Sequence, residues 1–466
     1  MNADAQINHV TKSWKRVKLG DVLEVIRGAS PRPKGDPRYF GGKIPWIMIA
    51  DVTKEKGKYL TETREHVTEE GAKKSRYLKA GTLILSNSAT VCVPKILKVD
   101  GCIHDGFVAF PNPPHDIDIN YLYYFFEYVR PQIINENRQG ITQVNLNTGI
   151  VKDIDLVLAP PNEQKLLVAE IEKQFSRLDE AVAGLKRVKA NLKRYKAAVL
   201  KAAVEGQLTE EWRLAHPEVT PASELLTKIL STRRKIYERT FTGKKYQEPK
   251  QSKDGNMKKL PDTWVWATSD QLTSYVTSGS RDWKQYYSNK GALFIRTQDI
   301  NTNRLELDNI AHVDLPDSVE GKRSLVVQND ILVIITGANV GKVAVVEKIL
   351  PEAYVSQSVG LMKIVDSQVA SYLHLAMIAA DDGKTQLEKM AYGLGRPVLS
   401  LDNLRDMDIP LPPKDEQRII VGEVERRFSL VSDIESQVNT NLLRADRMRQ
   451  AILAAAFSSR LLKYNA

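Results

Sequence analysis

The sequence predicts an α+β protein: two globular mixed α/β domains, each followed by a long helix, written as an internal repeat. Three observations carry this. Residues 158–176 read LAPPNEQKLLVAEIEKQFS and residues 411–429 read LPPKDEQRIIVGEVERRFS, and a shift of 253 positions aligns 140–208 with 393–461 without a gap. Each copy then carries an apolar stripe at seven-residue spacing. Ahead of each copy lies a segment of short strand-like runs punctuated by turns. The period is far too long for a solenoid, so it marks domain-sized halves.

The elements follow in chain order. Residues 1–157 form the first domain, with apolar runs such as KIPWIMIADV and GTLILSN bounded by turn residues. Residues 158–206 form the first long helix. Its stripe runs through Phe175, Leu178, Leu185, Leu192 and Val199, the last four seven apart. Residues 207–262 form a linker with a short helix near ASELLTKILSTRRKIYER. Its part 231–260 has ten Lys/Arg against three Asp/Glu and reads as a solvated, mobile tether. Residues 263–410 form the second domain, with ALFIRTQDI and NDILVIITG as strand runs. Residues 411–466 form the second long helix, striped by Phe428, Val431, Val438, Ala445 and Ile452. A helix of about 40 residues is roughly 60 Å long, and a sustained heptad stripe of that length wants a partner helix. The other copy is the obvious one. The globular segments match each other only at a shifting offset, with Trp14 and Trp264 opening them and Asp51 and Asp299 following the strands. The shared frame therefore carries two domains that have diverged.

Composition narrows the function. The chain has 466 residues, 42% hydrophobic and 27% charged, enough for more than one core. No apolar run spans a bilayer, and MNADAQINHV has no signal-peptide pattern, so a cytoplasmic protein is expected. Cys92 and Cys102 are the only cysteines, which argues against a disulfide framework or a cysteine zinc site. The net charge of +10 favours a polyanionic partner.

Catalytic motifs are imitated rather than met. GANVGK (337–342) lacks one spacer of a phosphate loop and has Val343 where Ser or Thr should bind magnesium; a tight strand-to-strand turn is expected. NPPH (112–115) has a histidine where an amino-methyltransferase motif stacks an aromatic ring on a flipped base, and no glycine-rich cofactor loop precedes it. PDSVEGK (316–322) packs Asp317, Glu320 and Lys322 too closely for a nuclease metal site. His104-Asp105 is a lone pair, and no zinc or hydrolase signature occurs. The residues thus predict a binding protein with no catalytic residue and no metal site of its own.

The two copies of PPxxEQ, with GITQVNLNTGIVKDIDLVLAPP, AVLKAAVEGQLTEEW, AILAAAFSSRLL and GSRDWKQYYSNKGALFIRTQDI, give the chain its family likeness. It resembles the specificity subunit of type I restriction-modification enzymes over nearly its whole length. The resemblance implies target-recognition domains that each read one half of a bipartite, asymmetric double-stranded DNA site. It implies that the long helices form an antiparallel coiled coil, a pseudo-two-fold frame that sets the spacer. It implies two methyltransferase subunits docked on the frame, which bind S-adenosylmethionine, and restriction (translocase) subunits that join them. It implies that the specificity subunit itself binds no cofactor and performs no catalysis, and no membrane partner is implied. In the family the terminal regions close a near-circular frame. The second copy has no counterpart of residues 210–240, so a thinner closure is expected.

Base readout needs Arg or Lys for guanine and Asn or Gln for adenine, and phosphate contacts need cations and small polar groups. In the first domain the candidates are Arg27, Arg32, Lys34, Arg38, Tyr39 and Lys43 in the loop after Gly28 and around it, with Asn87, Thr142 and Gln143. In the second they are Arg281, Lys284, Tyr286 and Lys290 after Gly279, with Arg296, Gln298, Asn339 and Arg396. The run LKRVKANLKRYK (185–196) has six basic residues and no acid. It faces DNA phosphates, an acidic surface on a methyltransferase subunit, or only water, with the partner protein favoured. The rival readings are a self-sufficient methyltransferase or nuclease with unseen motifs, and a coiled-coil nucleic-acid-binding scaffold.

Overall fold

The computed structural model describes residues 13–461 apart from 56, 88–89, 137–145, 244, 253–257, 317–318, 320–321 and 459–460. The chain divides into two units, residues 1–187 with 438–466, and residues 188–437.

In the first unit a five-stranded sheet runs in the order Ile26–Arg27, Phe107–Phe110, Leu83–Ser86, Pro94–Leu97, Tyr59–Leu60. A four-stranded sheet runs Glu65–Val67, Phe40–Ile47, Gly101–Ile103, Arg76–Leu78, its middle pair parallel. Leu83–Ser86 and Phe107–Phe110 read as nearly unbroken apolar runs because both faces are buried. Leu83, Leu85, Val108 and Phe110 face one core with the helix Ile119–Glu136, whereas Ile84, Phe107 and Ala109 face another with Ile47 and Ile103. Successive side chains alternate faces, so a polar residue anywhere in these strands would enter one core or the other.

The second unit repeats the plan. One sheet runs Thr273–Ser278, Val359–Ile364, Ile331–Ile334, Val343–Val345. The other runs Tyr287–Ser288, Ala311–Val313, Ala292–Ile295, Ala353–Val355, its last pair parallel. Ile331 and Val333 face a core with Tyr372 and Leu373, and Leu332 and Ile334 face one with Ile295 and Val355. The two domains share the order of four strands in the larger sheet and three in the smaller, although their sequences align only at a shifting offset; Tyr59–Leu60 in the first and Tyr287–Ser288 in the second are edge strands without a counterpart. Connections of different length between the shared strands produce that shift.

The repeated PPxxEQ stretch now has a structural meaning. In each domain the first strand pairs antiparallel with the last, Lys15–Lys18 with Asp155–Leu158 and Val265–Thr268 with Asp408–Leu411. This neck brings Trp14 and Trp264 to the helix starts. The indole N–H of Trp14 donates to Glu163 at 2.7 Å, and that of Trp264 donates to Glu416 at 2.8 Å. The amides of Gln164 and Gln417 donate to the carbonyls of Ala159 and Pro412, both at 2.8 Å, and so fix the turn into each helix. Tyr121 and Tyr372 donate to the carbonyls of Val157 and Pro410 on the neck strands.

The long helices are Pro161–Val204 and Lys414–Phe457, 44 residues each and about 66 Å at 1.5 Å per residue. Their bounds differ by 253, the period of the repeat. In the second unit Lys196 pairs with Glu435 at 2.8 Å, Val199 and Ala203 share a core with Ile420 and Val424, and Arg213 reaches Glu416 at 2.6 Å. One segment ascends while the other descends, which is antiparallel pairing. In the first unit the Arg449 guanidinium lies 4.2 Å above the Phe175 ring and bonds Asp179. Phe457 there enters the core beside Tyr121, Phe125 and Tyr128. Of the stripe residues, Phe175, Val199, Val431, Val438 and Ala445 are buried, and Leu178, Leu185, Leu192, Phe428 and Ile452 are half-buried.

The linker differs from the expected mobile tether. Its helix, Ala222–Thr240, buries Ala222 and Ile229 in the second core. Arg233 donates to the carbonyls of Asp270 and Thr273 and to the Tyr246 hydroxyl, and pairs with the Asp270 carboxylate at 3.2 Å. Lys250 pairs with Asp406 at 2.6 Å. Part of the basic charge fastens the linker to the second domain, because the acids it meets are distant in sequence. GANVGK is the turn of the hairpin between Ile331–Ile334 and Val343–Val345, with Gly337 and Gly341 at φ of 105° and 87°. Asp317 and Glu320 lie outside the described residues. Among the described residues no helix is long and apolar enough to cross a membrane, and no group of three or more His, Cys, Asp or Glu is arranged to hold a metal ion. Burial pushes the Cys92 thiol up to about 12.

Candidate nucleic-acid interface

Each domain gathers its candidate segments along one edge through backbone hydrogen bonds. In the first, Gly28 N–H donates to Phe107 O at 2.9 Å, Asn87 N–H to Gly106 O at 2.8 Å, and Leu146 N–H to Asn87 O at 2.9 Å. The loop after Gly28, the turn 104–106, Asn87 and Leu146 are therefore neighbours. Only glycine fits at position 28, since a Cβ there would stand 2.0 Å from the His104 carbonyl oxygen. Gly279 is under the same constraint, at 1.8 Å from the Val355 oxygen. Both positions need glycine because a neighbouring backbone lies this close.

Asp105 organises the first edge. Its carboxylate accepts from the Ser30 hydroxyl at 2.7 Å and from His104 Nε2 at 3.0 Å, and Arg32 stands 3.8 Å away. Its carbonyl accepts from Arg27 Nε and Asn87 Nδ2 at 3.3 and 3.2 Å. Burial would raise its carboxyl, but the Ser30 hydroxyl, His104 and Arg32 hold it below the usual carboxylate value. His104 Nδ1 accepts from Gly106 N–H at 2.9 Å, which places the proton of a neutral ring on Nε2, facing Asp105. Burial lowers the His104 pKa; Asp105 and Glu65 oppose this, while Arg32 and Lys34 reinforce it.

That lowering has a sign. The unfolded chain accepts a proton at the ordinary imidazole value, while folded His104 resists it to lower pH. Stability is therefore lost as pH falls from 7 through the ordinary value toward the folded one. The first domain should show a lower denaturation midpoint at pH 5.5 than at pH 7.5, and His104→Gln should flatten that difference. An unchanged slope in the variant would count against His104 as the source.

The side chains divide into presented and retained. Arg27, Arg32, Lys34 and Lys43 are exposed. Arg38 is exposed but paired with Asp36 at 2.6 Å, which holds that carboxyl low. Tyr39 is buried, its hydroxyl accepting from Lys74 at 2.7 Å, and Asn87 is buried with its amide on Asp105. Both support the edge from beneath instead of presenting a side chain, because their partners lie inside the domain. Thr142 and Gln143 lie outside the described residues.

The second edge is built the same way. Gly279 N–H donates to Ser356 O, Ile335 N–H to Ser358 O, and Ser356 N–H to Ile295 O, at 3.3, 3.0 and 2.8 Å. Gly337 N–H donates to Pro397 O and Leu399 N–H to Ile335 O, at 3.0 and 2.9 Å. This brings together the loop after Gly279, RTQD, TGAN and GLGRP. Arg281, Lys284, Lys290, Gln298, Asn339 and Arg396 are exposed, and Tyr286 is half-buried. Arg296 is retained: its guanidinium grips Asp299 with both Nε and Nη2 at 3.0 Å and donates to Asn309 O at 2.9 Å. The acid three residues on was the sequence signal for that pairing. Ser30 and Asp105 were missed as organisers, since nothing local links positions 75 apart.

Fold and edges define a class: a duplicated recognition chain, two domains that share a core of strands and each present a cation-bearing loop edge, with long helices paired antiparallel. The chain belongs to the type I restriction modification DNA specificity domain family, whose sequence profile it matches twice, over residues 11–194 and 261–444. It is 28% identical over 351 residues to the type I restriction enzyme EcoBI specificity subunit of Escherichia coli, covering 72% of this chain and 65% of that subunit, just under two-thirds of its length. It is 23% identical to the EcoDI specificity subunit of Escherichia coli, covering 96% of this chain and 88% of the relative. A chain from a study of complex assembly and conformational transition of the type I R-M system shares the fold at a TM-score of 0.64 and 16% identity, covering 97% and 99% of the two chains. The HsdS subunit from Thermoanaerobacter tengcongensis does so at 0.51 and 16%, covering 97% and 98%.

Proposed function

We propose that this chain is the DNA-recognition subunit of a type I restriction-modification assembly and performs no catalysis itself. The observation that carries the reading is the doubled edge: two domains with a shared core of strands, matched twice by one DNA specificity profile, with different side chains along each edge. Different side chains on the same scaffold read different half-sites, so the bipartite target is asymmetric. The exposed arginines and lysines supply phosphate contacts and guanine readout, and Gln298 and Asn339 have the donor-acceptor pair that adenine requires. A net charge of +10 makes binding salt-dependent through counterion release.

Methylation of an adenine inside a duplex requires that the base leave the stack. In this reading two methyltransferase subunits, which bind S-adenosylmethionine, do that chemistry, and restriction (translocase) subunits join the complex. This chain supplies the address, in the cytoplasm where the host DNA lies. The exposed basic residues Lys186, Arg187, Lys189, Lys193 and Arg194 on the first long helix are a docking surface for a partner protein. No observation favours a self-sufficient methyltransferase or nuclease, or a general scaffold.

Mapping N6-methyladenine across the host genome with and without this gene should reveal one split motif that disappears on deletion. Persistence of every methylated motif after deletion would reject the reading. The same mapping tests the helices as the spacer. A heptad inserted in each, keeping the stripe in phase, adds about 10.5 Å of helix, or about three base pairs of 3.4 Å. The half-sites should stay the same while the preferred gap lengthens, and an unchanged gap would remove the spacer role.

A further inference from the structure

The loop Tyr392–Arg396 presents an apolar side chain that the fold does not use. Leu394 is fully exposed, at 105% of its reference surface, and Tyr392 is 58% exposed. The loop is nevertheless held firmly. Tyr392 and Val398 exchange both backbone hydrogen bonds at 3.1 and 2.8 Å, and the Gly337 and Leu399 amides bond across to Pro397 and Ile335. Gly393 and Gly395, on either side of Leu394, have φ of 101° and 81°, a backbone region that other residues rarely adopt. A firm backbone turn thus pushes a single leucine into water.

We propose that Leu394 is a wedge that enters the base stack of duplex DNA beside the half-site read by the second domain. This rests on the DNA-recognition reading above and adds to it a residue that deforms DNA. Three observations favour DNA as the occupant. The tip lies on the edge that carries Asn339 and Arg396, both exposed, so phosphate and base contacts would flank the insertion. The nearest acid in sequence, Glu388 on the helix Gln386–Met390 before the loop, caps that helix by accepting from Thr385 N–H at 2.7 Å. The exposed apolar surface is narrow: Leu394 and Tyr392 stand on a loop otherwise made of Gly393, Gly395 and Arg396, whereas a protein partner would require a wider apolar patch. The repeat also places Ile141, after Gly140, where Leu394 follows Gly393, so an apolar residue after that glycine is written in both copies. Apolar wedges of this kind unstack a base step and kink the duplex, and unstacking beside a target base eases its extrusion by a methyltransferase.

The test uses the full chain with its methyltransferase subunits, without S-adenosylmethionine. Duplexes carry the chain's own mapped site with 2-aminopurine at successive positions of the second half-site, excluding the methylated adenine. The wild-type complex should give a fluorescence rise at one step. Leu394→Ala should abolish that rise and weaken cognate binding roughly tenfold, while Leu394→Phe retains both. The methyltransferase subunits should co-purify unchanged. An undiminished rise and affinity in Leu394→Ala would overturn the wedge, and so would loss of the methyltransferase subunits, which would make Leu394 a protein contact. If the wild-type complex bound scrambled duplex as tightly as its own site, the recognition reading would fail and take the wedge with it. Normal discrimination with no unstacked step would overturn the wedge alone.

Discussion

Replacing Glu416 with alanine is expected to destabilise the second unit by about 3–5 kcal/mol, the cost of leaving a buried charge without its partner. Glu416 is fully buried and accepts from three donors: the Trp264 indole at 2.8 Å, the Thr209 hydroxyl at 2.6 Å and the Arg213 guanidinium at 2.6 Å. Arg213 is itself mostly buried, at 17% side-chain exposure, so its charge would be stranded. Glu416→Gln should cost less, because the shape and one acceptor remain. The corresponding Glu163 is half-buried and accepts from Trp14, so Glu163→Ala should cost only about 1–2 kcal/mol, one hydrogen bond and its orphaned donor. The two units need not unfold together, so hydrogen exchange by mass spectrometry is the suitable measurement. Peptides covering 199–213 and 264–268 should lose protection in Glu416→Ala. Equal effects from the two alanine variants would show that Arg213 and Thr209 contribute nothing.

Phe457→Ala should destabilise the first unit by about 3–5 kcal/mol, the range for truncating a buried aromatic. The ring is 4% exposed and its centre lies 5.1, 5.6 and 5.3 Å from those of Tyr121, Phe125 and Tyr128. It ends the second long helix inside the core of the first domain. Ala456 and Leu453 beside it are buried too, so the cavity cannot collapse by a simple shift of one residue. Loss of the anchor should free the helix end before it unfolds the sheets, and limited proteolysis should then cut between 449 and 457. Wild-type resistance to cleavage there would mean that Leu453 and Ala456 hold the helix end without the ring.

The helices were the most legible part of the chain, and the contacts that hold the domains were the least. Helical periodicity is local, and the repeat wrote it twice, so both helices appear in the structure at the same offset. The strands were legible one at a time, as apolar runs, but not in their order. Strand pairing depends on neighbours far along the chain, and turns of unequal length hid the likeness of the two domains. The sequence displayed Trp14, Trp264, Glu163 and Glu416 in matching places, yet gave no local sign that each tryptophan meets its glutamate across about 150 residues. Among the recognition candidates, the loops were found by composition and glycine placement. Residue type alone left unsorted which cations face out. Arg296 and Arg38 each have an acid within three residues that claims them, while Asn87 and Tyr39 are claimed by partners that only folding brings near.

Sequence by itself therefore determined the duplication, the long helices, the family and the absence of a recognisable catalytic motif, because each rests on order and spacing along the chain. The tertiary structure alone decided the common strand order, the tryptophan–glutamate necks, the fastening of the linker and the two edges on which loops from distant segments meet. Those depend on hydrogen bonds and burial between residues tens to hundreds of positions apart, where polar groups removed from water must find partners wherever the fold supplies them.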